Sequence, residues 1–134
     1  MQKIEQTYIT FEQAKLLKKK RFNVPLSKVY NTLGELWNSH YSTMSNDDVD
    51  PGTSCVAPEQ WQVVEWLRVN HGIWVTVYIM EKDNLIGDGW TFYFDYSIKQ
   101  MKIGLIDIPK TLEEFNSPQE AYSAAFDYIL DKLV

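Results

Sequence analysis

One cysteine, two histidines and no long apolar run set the first limits on this chain. Cys55 has no second cysteine to pair with, so an intrachain disulfide is excluded, and a reducing cytosol is the compartment that fits. No apolar stretch approaches the roughly 18–20 residues of a membrane span. The segment Met1 to Gln6 lacks the apolar core of a signal peptide. A cytoplasmic protein with no membrane attachment is the expectation. A surplus of basic residues is also missing: the formal net charge is −5, which argues against broad binding of phosphate backbones. Nucleic acid is therefore not an expected partner.

Aromatic residues, by contrast, are abundant. Five Trp, eight Tyr and six Phe in 134 residues exceed what one small core holds, so some are expected at a surface. Trp and Tyr suit that position because an apolar ring carries a polar tip. Residues 1–134 make one domain by length, able to bury about two-thirds of the unfolded surface without a disulfide or metal staple.

Periodicity and capping signals predict an α+β fold. Thr10-Phe11-Glu12-Gln13 forms a capping box, with Ile9 placed to staple onto Ala14 and Phe11, Ala14 and Leu17 as the apolar stripe. Lys18 to Arg21 suits the negative helix end, and Pro25 lies beyond it. Ser27 to Trp37 reads as a short hairpin turning at Asn31-Thr32-Leu33-Gly34. Residues 38–57 read as a mobile acidic loop, rich in turn residues from Asn46 to Gly52. Pro58 marks a second helix at its first-turn position, and Gly72 closes it. Val63, Val64, Trp66 and Leu67 share its core face, while Trp61, Glu65, Arg68 and Val69 share the opposite one.

Ile73 to Met80 is almost continuously apolar, as expected of a central strand covered on both sides. Turn residues follow at Lys82 to Asn84 and at Gly87 to Gly89. Trp90 to Tyr96 and Met101 to Ile108 are the next strands, separated by a turn near Lys99 and Gln100. Ser117-Pro118-Gln119-Glu120 combines an N-cap serine, proline at the first helical position and glutamate three residues after the cap. The architecture read from these signals is an antiparallel β-meander of at least three strands, packed by a C-terminal helix, with two further helices.

No motif commits the chain to a reaction. His71 falls at a helix end, where a structural role outweighs catalysis. His40 has no neighbour that orients it. Cys55 with His40 lacks the third group and oxyanion site of a nucleophilic dyad. Asp47, Asp48 and Asp50 fail the EF-hand spacing because Thr53 stands at the required glycine position. Neither metal nor cofactor is expected. Lys18 to Arg21 is a solvated helix end in preference to a nucleotide-phosphate patch. The residues chosen for a binding surface are Trp61, Arg68, Tyr78, Trp90 and Tyr93, since Trp, Tyr and Arg dominate binding hot spots.

Three stretches carry a resemblance. They are Thr10 to Lys18, Ala57 to Val75 and Ser117 to Phe126. Together they resemble a group of small proteins encoded by phages and prophages of gut Bacteroides-type bacteria. No activity is established for that group, so no catalytic residue carries over. The resemblance implies an accessory protein of a host bacterial cytoplasm that binds and neutralises a host component.

The expected function is a non-enzymatic binding protein, a phage accessory or anti-defence factor capturing a host protein or a small signalling ligand. The alternatives are a small hydrolase of a nucleotide-type signal, using His71, His40 or an aspartate of the acidic loop, and a structural protein forming a homo-oligomer through open sheet edges.

Overall fold

A computed structural model of the protein describes residues 6–39, 42–83, 87 and 89–134. His40, and Asn84 and Asp88 of the predicted turns, lie outside the described residues. Among the described residues the fold is α+β, with two three-stranded antiparallel sheets and three α-helices.

Helix α1 (Phe11–Lys19) starts as its capping box requires. Thr10 Oγ1 accepts from the Gln13 N–H and Gln13 Oε1 accepts from the Thr10 N–H, each at 3.1 Å. The staple residues Ile9 and Ala14 are both buried. The helix stops at a Schellman turn. The Phe22 N–H reaches Leu17 O at 3.0 Å and the Arg21 N–H reaches Lys18 O at 3.1 Å. Arg21 holds φ +67°, where a Cβ is strained and glycine is the usual occupant. Because Arg21 is exposed, Arg21→Gly forfeits no packing. Relief of the left-handed strain outweighs the extra freedom of an unfolded glycine, by about 0.5–1 kcal/mol. Thermal melts should show this as a midpoint a few degrees higher; an unchanged or lower midpoint contradicts the strain argument.

The first sheet has the order β2-β1-β3, built from β1 (Lys28–Asn31), β2 (Leu36–Asn38) and β3 (Thr53–Val56). The predicted hairpin is present, with Asn31 Oδ1 accepting from the N–H groups of Leu33 and Glu35. Gly34 is required there twice over. Its φ is +82°, and a Cβ would meet the Phe11 ring at 2.7 Å.

Strand β3 corrects the loop reading of residues 38–57. Val56 and Cys55 pair with Val29 and Tyr30, and both β3 side chains are buried. The acidic stretch before it forms a single 3-10 turn, Asn46–Asp48, tied to the core by one side chain. Asn46 donates to Phe22 O at 2.7 Å and accepts from the Val56 N–H at 2.9 Å.

Helix α2 (Gln60–His71) begins two residues later than the proline signal implied. Glu59 is the N-cap, its N–H donating to Gln62 Oε1 at 2.8 Å, while Pro58 stands outside and its carbonyl accepts from the Ile9 N–H. Gly72 closes α2 at φ +62°, as expected, and leads straight into β4.

The second sheet has the order β4-β5-β6, made of β4 (Ile73–Asp83), β5 (Trp90–Met101) and β6 (Leu105–Asp107). Its register is unbroken from Ile73↔Gln100 to Asp83↔Trp90. Two expectations are corrected. Strand β4 is an edge strand and β5 is central, although β4 is the more continuously apolar. Strand β5 also runs through Lys99 and Gln100, because inward Phe94 and Tyr96 are followed at the same spacing by Ile98, which is 2% exposed.

Helix α3 (Pro118–Lys132) lies at the centre of the molecule, touching α1, α2, β4 and β5. Ser117 Oγ accepts from the Glu120 N–H at 3.2 Å and Pro118 fills the first turn, as its sequence signal predicts. Ala121, Ala125, Phe126, Ile129 and Leu130 are its buried residues. Their burial joins the two sheets into one core.

Candidate functional site

The start of α2 is held by backbone. The Gln60 N–H donates to Thr7 O at 2.8 Å, and Tyr8 bridges Glu59 in antiparallel fashion. The Gln60 side chain then donates to Gln119 O at 3.0 Å, fixing α2 against the head of α3. Between these elements lies a cleft of about 540 Å³, lined by Trp61, Val64, Glu59, Glu65 and Tyr122 with Gln6, Thr7 and Gln60.

Trp61 forms much of its wall. It is 62% exposed, yet its indole N–H donates to Glu59 Oε2 at 3.1 Å, which limits the ring's freedom. Glu65, one turn on, bonds Arg68 Nη2 at 2.8 Å. The Arg68 hydrogen bond, reinforced by its charge, holds the Glu65 carboxyl below the usual carboxylate range and raises the guanidinium in turn. The cleft thus presents an indole face, Val64 and the Tyr122 ring beside two carboxylates. Among the described residues, its lining has no histidine, cysteine or serine. Its chemistry suits an apolar body bearing a positive group, which the indole attracts through its ring face and the carboxylates attract by charge.

The five residues chosen from sequence separate into three places. Trp61 and Arg68 belong to the α2 face, joined through Glu65. Tyr78 and Tyr93 lie on one face of the β4-β5 hairpin, where Tyr78 is opposite Asp95 and Tyr93 opposite Met80. The Tyr78 hydroxyl donates to Asp95 Oδ2 at 3.3 Å, and burial, followed by the Asp95 charge, raises its pKa. Trp90 falls on the other face of the hairpin, opposite Asp83 and 60% exposed.

Glu59, Tyr122 and Asp95 were not among the residues chosen from sequence for the binding surface. Asp95 did carry a signal, as the one charged residue between Trp90 and Ile98. Its carboxylate is fully buried and accepts from Lys110 Nζ at 2.6 Å, the Tyr96 N–H at 2.8 Å and the Glu113 N–H at 3.2 Å. Burial pushes this carboxyl up, but Lys110 and the two amides together outweigh burial and hold it below its ordinary value.

His71, Cys55 and Asp47, weighed from sequence for catalysis, are engaged otherwise. His71 packs edge-on to Trp66, ring centroids 4.7 Å apart. Cys55 is buried and burial pushes its thiol up, away from the reactive thiolate. Asp47 lines a second cleft of about 440 Å³ with Lys18 and Arg21. There its carboxylate accepts from Asn23 Nδ2 at 2.7 Å while its N–H donates to Asn23 Oδ1 at 3.1 Å. Lys18 and Lys20 donate to Ser54 O and Val134 O, so this basic run ties down backbone carbonyls. Among the described residues, no group of three His, Cys, Asp or Glu side chains is placed to hold a metal ion, and no helix is long and apolar enough to cross a membrane. No family model, curated protein or solved structure matches the chain.

Proposed function

We propose that the protein is a non-enzymatic binding protein that takes its partner at the α2 cleft. The observation that carries this reading is Trp61, which is left 62% exposed in a cleft while its indole N–H is fixed on Glu59. An exposed aromatic already restrained in position loses little freedom when it is covered. The partner is a host protein or a small signalling ligand, engaged through a cationic group on an apolar body. Arg68 acts as the counter-charge that orients Glu65. The phage-type resemblance supports a setting for this capture, an accessory or anti-defence role in a bacterial host cytoplasm.

Native mass spectrometry of the protein after incubation with bacterial lysate reads this directly. A bound species should be retained by the parent chain and lost at least tenfold in Trp61→Ala combined with Glu65→Gln, a change worth about 1.4 kcal/mol or more. Retention should also weaken as salt rises, because the attraction is between exposed charges. Both substituted side chains are exposed, so the urea midpoint should not move. Equal retention by the double variant sinks the assignment of the site.

A further inference from the structure

The outer edge of β4 is open along a strand of eleven residues, and nothing among the described residues pairs with it. Natural edge strands carry protection against pairing, usually a lysine at mid-strand, a proline, a bulge or short length. Strand β4 carries none over Ile73–Met80: that run holds neither charge nor proline, and its register with β5 has no bulge. Its charges, Glu81, Lys82 and Asp83, gather at the far end.

A second feature lies beside the first. The sheet face that α3 covers near Val75, Tyr96 and Ile98 continues bare beyond them, where Ile79, Phe92 and Trp90 are 60%, 59% and 60% exposed. The two aromatics alone leave roughly 250 Å² uncovered, at 150–250 Å² for a whole aromatic side chain. With Ile79 added, the patch is of the few-hundred-Å² size at which exposed apolar surface is often functional.

We infer that the occupant of both is a second copy of this chain, paired antiparallel along β4 across a two-fold axis perpendicular to the sheet. Such an axis keeps the α3-bearing face of each copy on the same side. It also reverses the strands, so the bare distal half of one hairpin lies beside the helix-covered proximal half of the other. One operation therefore satisfies the open edge and walls the apolar patch with the partner's helical layer. A free peptide strand offers only the first. The charges agree: Glu81 and Asp83 come beside the start of the partner's β4, which follows the basic last turn of α2 containing Arg68 and His71. The interface is isologous, so it closes at two copies. It lies apart from Trp61 and Glu59 of the α2 cleft, and the two assignments share only Arg68.

Sedimentation equilibrium at about 50 µM, a concentration that reveals micromolar association, tests the inference. The expected mass is twice 15.7 kDa, falling to 15.7 kDa in Thr76→Lys combined with Ile79→Lys. Both positions are exposed, and circular dichroism with urea titration confirms that the variant is folded. Hydrogen exchange supplies the second readout: amides within Ile73–Met80 should be protected in a concentration-dependent way in the parent and not in the variant. A monomeric parent chain overturns the inference. So does a dimer that survives both lysines, or a series of larger species, which would mean joining through the opposite, β6 edge.

Discussion

Asp95→Ala should remove roughly 3–5 kcal/mol of stability, the cost of breaking a buried ion pair by taking one partner away. The carboxylate is 0% exposed, and its partner Lys110 retains only 18% side-chain exposure. Without Asp95, the Lys110 ammonium loses its counter-charge and keeps only Thr111 O as an acceptor, and the Glu113 N–H loses its acceptor, inside the arch that runs from Ile108 to the Phe94–Phe115 bridge. Against a total of about 5–15 kcal/mol for a domain, this leaves a marginal fold. Urea titration gives the number; a loss below about 1 kcal/mol would show that the network contributes nothing net. If Asp95→Ala does not fold, Lys110→Met gives the second measurement, since it leaves Asp95 its two amides and the Tyr78 hydroxyl.

The same group shapes the acid limb. Its folded-state pKa is depressed relative to the unfolded value of about 3.9. The stabilisation is therefore complete above about pH 5 and is lost as pH falls through the folded-state value. The stability gap between the parent chain and Asp95→Asn should hold constant from neutral pH to about pH 5 and narrow below it. A gap that widens in acid would reverse the assigned sign.

Gln13 has the second large effect, and its sign separates two explanations. Its amide nitrogen donates to Ser123 O at 3.0 Å, Ser123 Oγ at 3.0 Å and Asp127 Oδ1 at 2.9 Å, while its oxygen completes the α1 capping box. The residue is 1% exposed. Gln13→Ala should cost about 3 kcal/mol, combining a lost cap contact with donors and acceptors left unpaired. Gln13→Glu is sharper. Local capping rules favour glutamate at this position, so α1 considered alone predicts a neutral or stabilising change. The tertiary contacts predict the opposite, because a carboxylate would face Asp127 and the Ser123 carbonyl. Chemical denaturation should find the glutamate variant less stable at pH 7 by about 2 kcal/mol or more, and partly restored near pH 4 where a carboxyl can donate.

What the sequence disclosed follows a physical division. The starts of α1 and α3 and the end of α2 were legible because their signals are local: a side chain bonding an amide three residues away, or a glycine at positive φ. Strand β3 was not, because only Cys55 and Val56 are buried in it and its neighbour β1 lies more than twenty residues earlier. The edge position of β4 was misread for a related reason. A continuously apolar strand is the mark of a doubly covered one, and nothing within Ile73–Met80 distinguishes burial by its own chain from an open edge. The candidate site divides the same way. Trp61, Glu65 and Arg68 share a helix face, which periodicity groups together. Glu59 joins them locally, through its bond to Trp61 two residues on, whereas Tyr122 joins only once α2 docks on α3, and Asp95 finds Lys110 only when the arch closes over the sheet.

The central place of α3 also orders events in time. It is the last element in chain order, yet it supplies the shared core of both sheets and the partners that Gln13 needs. During synthesis, both sheets emerge from the ribosome before the helix that reconciles them. The faces of α1, α2, β4 and β5 that touch α3 are then without it. Until α3 follows them in chain order, neither sheet has the helix that completes the core.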